Sequence, residues 1–259
     1  MPTPHNPFKA AIANGELQLG CWLGLADPYI AEISAGAGFN WLLIDGDHAP
    51  NGLRSITAQL QVIAGRESHA VVRPPIGETW IIKQFLDAGT QTLLIPMVES
   101  GAQAKWLVDA VTYPPHGISG VGSALARASD FAAIGDYLTT AREQSCLLAQ
   151  VENCAGLAAL DDILQVDGID GVFVGPSDLA ADMGFIGKPG TPEVEAAVLD
   201  AISRIVATGK AAGILTLDTA LQAKCKDLGA KFIATEIDVT LFAKGVRASA
   251  RAAQEQLQK

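Results

Sequence analysis

Eight short apolar runs recur along the chain, and segments whose apolar residues fall at helical spacing separate them. The runs are "LGCWLGL" (19–25), "WLLIDG" (41–46), "HAVVRP" (69–74), "TLLIPM" (92–97), "CLLAQVE" (146–152), "GVFVG" (171–175), "KAAGILT" (210–216) and "KFIATEID" (231–238). Between them stand "PYIAEISAGAGF", "TWIIKQFLDAG", "GLAALDDILQV", "PEVEAAVLDAISRIVATG" and others, many closing on glycine, a helix stop. Strands that are apolar on both faces belong in a parallel sheet covered on both sides, because a sheet with one wet face would alternate. Eight such units in 259 residues predict an α/β fold, a (β/α)8 TIM barrel formed as a single domain over 1–259. The competing arrangement is an open doubly wound sheet. Against it, "GLADPY" follows the first strand where a dinucleotide fold would carry a glycine-rich loop. One connection is long: "YPPHGISGVGSALARASDFAAIGDYL" reads as an active-site or interface loop.

Charge narrows the partners. A net charge of -10 repels nucleic acid and anionic membrane surfaces, which leaves a small molecule as the expected partner. The four cysteines (Cys21, Cys146, Cys154, Cys225) form no CxxC pair, and two lie in apolar runs, so reduced core thiols are expected. The start "MPTPHNPFKAAIANGE" lacks the basic and continuous apolar stretches of a signal peptide, so the expected location is the cytoplasm.

In a barrel the C-terminal ends of all strands meet at one mouth, where residues distant in sequence become neighbours. The second run delivers Asp45, Asp47 and His48, the third Arg73, and the fourth Pro96 and Met97. The fifth delivers Gln150 and Glu152, the sixth "GPSD" with Asp178, and the eighth Glu236 and Asp238. Several acids, one histidine and one guanidinium are costly to gather in a folded mouth, and such a group points to chemistry. Glu152 and Asp178 are hard oxygen donors with no cysteine or second histidine beside them, which suits Mg2+ or Mn2+. A plain helix cap is the competing role for Asp178. His48, with Asp45 three residues before it to orient the ring, fits a general base; a loop histidine bonded to a carbonyl is the competing role. Arg73 fits a developing oxyanion, or else a surface ion pair. A Schiff-base mechanism needs a lysine deep in the barrel, yet Lys210 and Lys231 stand at strand starts, the wrong end. The acids in "TLDT" and "TEIDVT" would repel a phosphorylated substrate.

Taken together, "GCWLGLADPYIAEISAGAGFNWLLIDGDHAP", "VVRP", "IKQFLDAGTQTLLIPMV", "YPPHGISGVGSALARAS", "QVEN", "DGIDGVFVGPSDLAADMG" and "KAAGIL" resemble the HpcH/HpaI family of class II, metal-dependent pyruvate aldolases. The resemblance spans nearly the whole chain. It implies a divalent metal (Mg2+, Mn2+ or Co2+) on Glu152 and Asp178, His48 as base oriented by Asp45, and Arg73 at the enolate oxygen. It further implies a substrate cradle from Gly175, Pro176 and the backbone N–H groups of Ser177 and Asp178. Gln150 matches a residue that supports the ligands from behind or holds water, and Trp22 and Leu215 match pocket walls. Asp87 and Arg127 match residues that reach a neighbouring subunit's mouth, in a homo-hexamer (trimer of dimers) with exchanged C-terminal helices. The implied reaction is reversible cleavage of a 4-hydroxy-2-oxo acid, 4-hydroxy-2-oxoheptanedioate to pyruvate and succinic semialdehyde foremost, in aromatic catabolism. Joining pyruvate or hydroxypyruvate to aldehydes is the reverse. Related readings are a 2-keto-3-deoxy sugar-acid aldolase (2-dehydro-3-deoxyglucarate or 2-keto-3-deoxyrhamnonate type), a CoA-thioester lyase, and a non-catalytic keto-acid-binding barrel. Three positions depart from the family pattern: Asp47 where Glu is usual, Ser119 where Arg is usual in the "YPP" loop, and Glu236 where a smaller or apolar residue is commoner.

Overall fold

The computed structural model describes residues 1–257. Eight parallel strands close into a barrel in chain order: β1 (Gln18–Leu23), β2 (Trp41–Asp45), β3 (His69–Arg73), β4 (Thr92–Ile95), β5 (Cys146–Val151), β6 (Gly171–Val174), β7 (Ala211–Leu215) and β8 (Phe232–Ile237). All eight apolar runs are therefore strands, and the doubly wound sheet is excluded. The helices are α1 (Pro7–Ala13), α2 (Pro28–Ala35), α3 (Leu53–Ile63), α4 (Thr79–Asp87), α5 (Gly101–Ala110), α6 (Tyr137–Gln144), α7 (Cys154–Ala158), α8 (Leu160–Leu164), α9 (Pro176–Asp182), α10 (Pro192–Ala207), α11 (Thr219–Asp227) and α12 (Asp238–Leu257). The segment "GLAALDDILQV" forms two short helices, α7 and α8, where one is expected from its spacing. Residues 113–136 contain only a 3-10 turn at Arg127–Ser129. No helix is long and apolar enough to cross a membrane among the described residues.

Strand alternation divides the core in two. One set of side chains, with Leu42, Ile44, Val72, Val172 and Ile214, packs outward under the helices. The other set, with Trp41, Leu43, Val71, Leu148, Phe173 and Phe232, fills the barrel. Filling it with aromatics requires gaps beside them. A Cβ on Gly20 would stand 2.2 Å from the Trp41 ring, and one on Gly213 would stand 2.1 Å from Phe232, so each large ring is matched by an absent side chain on a neighbouring strand.

The sequence reading missed α1, which plugs the lower end of the barrel. Asn6 caps it by accepting from Lys9 N–H at 2.9 Å, and Phe8 stacks on the His69 ring at 5.8 Å and 10°. Asn6 Nδ2 also donates to Thr92 Oγ1 at 3.0 Å. That leaves the Thr92 proton free to point at His69 Nε2, 2.8 Å away, an arrangement that suits only a neutral ring. Burial holds the His69 pKa down at about 4, against an ordinary value of 6.5. The unfolded chain therefore binds the proton first, and stability is complete above pH 6.5 and lost as pH falls toward 4. The loss amounts to about 3 kcal/mol. Urea unfolding at pH 7.5 and pH 5 should show that His69→Gln loses less stability over this interval than the wild type. Equal losses would mean that His69 carries none of the acid sensitivity.

Of the cysteines, Cys21, Cys146 and Cys225 are buried free thiols as expected, but Cys154 is exposed at the start of α7.

Candidate active site

Strand register assembles the site. β2 and β3 pair so that Asp45 lies directly beside Arg73. Both are buried, and they meet in a two-pronged ion pair: Nε to Oδ1 at 2.9 Å and Nη2 to Oδ2 at 2.7 Å. Trp22 of β1 donates Nε1–H to Asp45 Oδ2 at 3.0 Å, and its ring lies under the guanidinium, 5.0 Å from Cζ. The backbone N–H groups of Asp47 and His48 complete the ring of donors around Oδ1, at 3.0 and 3.4 Å. Burial alone would push the Asp45 carboxyl up, but the hydrogen bonds and charge of Arg73 outweigh it and hold it below the usual range.

This geometry corrects one expectation. Asp45 does not orient the His48 ring: its oxygens are occupied by Arg73, Trp22 and backbone. The side chain of His48 is 67% exposed, and its nearest acid is Asp47, with Oδ2 at 3.8 Å from Nε2. The same Asp47 oxygen lies 3.6 Å from Arg73 Nη1.

Gln150 on β5 and Glu152, the residue just past its end, stand two residues apart and so share a face. Glu152 Oε1 accepts from Met97 N–H at 3.0 Å, and its Oε2 accepts from Gln150 Nε2. Gln150 Oε1 is buried without a partner among the described residues. Burial pushes the Glu152 carboxyl up to about 6; the bonds from Met97 and Gln150 work against the rise and the charge of Asp178 adds to it.

Asp178 arrives on α9. Gly175 is the N-cap and Pro176 the first helical residue, so Asp178 sits in the first turn, and no side-chain bond caps this helix. The cap role expected for it as a competitor is therefore not the one it plays. The first intrahelical bond runs from Leu179 N–H to Gly175 O at 3.2 Å, which leaves the N–H groups of Ser177 and Asp178 free of helical partners. Gly175 is required by crowding: a Cβ there would stand 2.7 Å from Glu152 Cβ and 2.9 Å from Glu152 Oε2.

Asp45, His48, Arg73, Glu152 and Asp178 line one cavity of about 600 Å³, with Trp22, Leu215 and Phe173 in its wall. Its contents fit a hard divalent cation in part. Two carboxylates converge on it with an unsatisfied amide oxygen beside them, but no group of three or more His, Cys, Asp or Glu is placed to hold a metal among the described residues. Glu152 and Asp178 would hold such an ion, and its remaining positions would be left to substrate oxygens and water.

Other expected mouth residues lie elsewhere. Asp238 is buried and accepts from Gly24 and Leu25 N–H at 2.8 and 3.1 Å, pinning the β1–α2 loop. Glu236 is not part of the cavity lining. Neither Asp87 nor Arg127 reaches the mouth of its own chain: Arg127 donates to Ala88 O at 3.1 Å, and burial raises the Asp87 carboxyl against the opposing charge of Lys83. Lys210 is tied to Val166 and Ile169 carbonyls just before β7, and no lysine lines the cavity among the described residues. The rim contains Thr216, Asp218 and Glu195. Asp218 is the acid of "TLDT" expected there to repel phosphate; Glu195 lies within α10 and carries no local signal.

The model of the HpcH/HpaI aldolase/citrate lyase family matches residues 18–245. The chain belongs to this family. It is an aldolase. A hydroxypyruvate/pyruvate aldolase of Roseovarius nubinhibens is 60% identical over 95% of this chain and 96% of its own length. A 4-hydroxy-2-oxo-heptane-1,7-dioate aldolase of Salmonella dublin is 54% identical over 95% of this chain and 93% of its own. The crystal structure of an HpcH/HpaI aldolase/citrate lyase family protein from Burkholderia cenocepacia superposes with a TM-score of 0.91 at 35% identity, covering 96% of this chain and 99% of that one.

Proposed function

We propose that this aldolase cleaves 4-hydroxy-2-oxo acids reversibly to pyruvate and an aldehyde, with a divalent metal (Mg2+, Mn2+ or Co2+) on Glu152 and Asp178. The observation that carries the reading is the convergence, in one cavity, of two carboxylates and a guanidinium whose position is fixed by Asp45 and Trp22. A bound divalent ion supplies Lewis acidity to the keto oxygen. The chain supplies the rest. Ser177 and Asp178 present free N–H groups to the substrate carboxylate. His48 takes the proton of the 4-hydroxyl as the bond between C3 and C4 breaks and the aldehyde leaves. Arg73 has used only two of its five N–H donors on Asp45, so the others are available to the enolate oxygen until C3 is protonated.

The reading extends to 4-hydroxy-2-oxoheptanedioate, giving succinic semialdehyde. In reverse it joins pyruvate or hydroxypyruvate to aldehydes, which the name of the 60% identical relative supports. A second substrate class, 2-keto-3-deoxy sugar acids, is favoured by the hydroxyl-compatible rim of Thr216, Asp218 and Glu195. The active unit in this reading is a cytoplasmic homo-hexamer with α12 exchanged between subunits. Val239, Leu241, Phe242 and Val246 on that helix are exposed in the single chain, which supports it.

The test is pyruvate release from both substrate classes by chelator-stripped protein, before and after adding Mg2+, Mn2+ or Co2+. Activity should vanish on stripping and return with metal. Activity that survives stripping would mean that Glu152 and Asp178 do not hold a working metal.

A further inference from the structure

Beside the mouth, Met97 holds a strained backbone conformation. It follows β4 with φ of +53°, a left-handed conformation that a non-glycine residue keeps only where its neighbours hold it there. Its side chain is 49% exposed, so packing of the thioether does not explain the turn. Hydrogen bonds do. On one side of its Cα, the N–H donates to Glu152 Oε1 at 3.0 Å. On the other, the carbonyl accepts from Gln103 Nε2 at 3.2 Å.

Gln103 is fixed in turn. Its Oε1 accepts from Glu99 N–H at 2.8 Å, and its own N–H donates to Ser100 Oγ, the N-cap of α5, at 3.1 Å. Glu99 Oε1 accepts from Asn153 Nδ2 at 2.5 Å, and Asn153 Oδ1 caps α7 through Gly156 N–H at 2.7 Å. The β4–α5 and β5–α7 connections are therefore tied into one frame, and a single donor of that frame, Met97 N–H, enters the site. Neither Gln103 nor Met97 lines the cavity.

The geometry points to Gln103 as a positioning residue that acts through the left-handed Met97 turn to fix Glu152 for a divalent cation. The inference rests on the reading of Glu152 as a metal ligand. A carboxylate whose Oε1 is held by a charge-assisted bond from a rigid peptide, and whose Oε2 accepts from Gln150 Nε2, has its plane set and a lone pair left on each oxygen, which reduces the ordering needed when a cation arrives. Gln103 sets the plane of that turn from outside.

The experiment is a Mn2+ titration of metal-stripped wild type, Gln103→Met and Gln103→Glu, read by calorimetry or by the loss of free Mn2+ signal in electron paramagnetic resonance. Gln103→Met keeps the length and removes the amide; Gln103→Glu keeps the acceptor for Glu99 N–H, sets an oxygen against the Met97 carbonyl in place of the donor, and adds a negative charge that by itself would favour a cation. Both should bind Mn2+ about tenfold more weakly, with activity recovered at saturating Mn2+. Wild-type affinity in both Gln103 variants would overturn the inference even if their melting temperatures fell, because a purely structural clamp moves stability and leaves affinity alone. Wild-type protein that binds no Mn2+ would overturn the metal reading itself, and this inference with it.

Discussion

Replacing Glu152 by Gln should lower pyruvate release from 4-hydroxy-2-oxo acids by about a thousandfold and abolish Mn2+ binding, while leaving the metal-free barrel at least as stable as wild type. Metal-assisted polarisation is worth several kcal/mol in the transition state, and about 4 kcal/mol corresponds to that factor. Structural collapse is not the cause of the loss. The amide oxygen of the variant can still accept from Met97 N–H, and Gln150, whose Oε1 is buried without a partner among the described residues, can turn it toward the new amide donor. In the wild type the folded carboxyl titrates at about 6, against an ordinary 4.5, because burial disfavours its charge. The folded state then binds the proton more tightly than the unfolded chain, so wild-type stability falls as pH rises from 4.5 to 6 and stays lower above it. The neutral variant escapes this loss, about 2 kcal/mol. Urea unfolding of both metal-free proteins at pH 7.5, beside the Mn2+ titration and the pyruvate assay, checks all three statements. A variant that still binds Mn2+ and turns over at wild-type rate would remove Glu152 from the metal site. One that is inactive and also much less stable would return Glu152 to a structural role.

What the chain reveals before folding follows the range of the interactions. The eight strands are legible because each is a local run of apolar and β-branched residues, and the barrel follows from counting them. The helix "PFKAAIA" was missed because it is short and its main contact, Phe8 on Trp41 and Phe232, is with residues far along the chain. The mouth residues of β2, β3, β5 and α9 are legible because strand ends are. Their partners are not. His48 lies three residues from Asp45 in sequence, and proximity made it the expected partner; strand register instead sets Arg73 beside Asp45 across 28 residues of chain. Met97 shows the same limit more sharply. Nothing in "IPMVES" announces a left-handed turn, since methionine has no preference for it, and the turn exists only because Glu152 and Gln103 hold both of its flanks.

That displaced partnership gives the second large effect. Asp45→Asn should destabilise the protein by about 3–5 kcal/mol and lower turnover sharply, although the substitution changes neither size nor shape. Every group facing the Asp45 carboxylate is a donor: Arg73 Nε and the Asp47 and His48 N–H groups at Oδ1, Arg73 Nη2 and Trp22 Nε1 at Oδ2. An asparagine has one acceptor oxygen, so in either orientation its NH2 points at N–H groups, and the buried guanidinium loses the charge that balances it. The wild-type contribution is present above the usual carboxylate range and is lost as pH falls through the depressed folded pKa; the variant has no such acid limb. Urea unfolding between pH 3 and pH 7 reads both the size and the shape of the difference. Turnover falls because Arg73, freed from its clamp, no longer presents its remaining donors in one place. A double-mutant cycle with His48→Ala separates this from the role first expected for Asp45. If Asp45 acted by orienting the His48 ring, the two substitutions together would cost turnover no more than His48→Ala alone. Since Asp45 accepts only the backbone N–H of His48 and the ring lies nearest Asp47, the two losses should multiply. A non-multiplying loss with normal stability would return Asp45 to the histidine and leave Arg73 fixed by Trp22 and Asp47 alone.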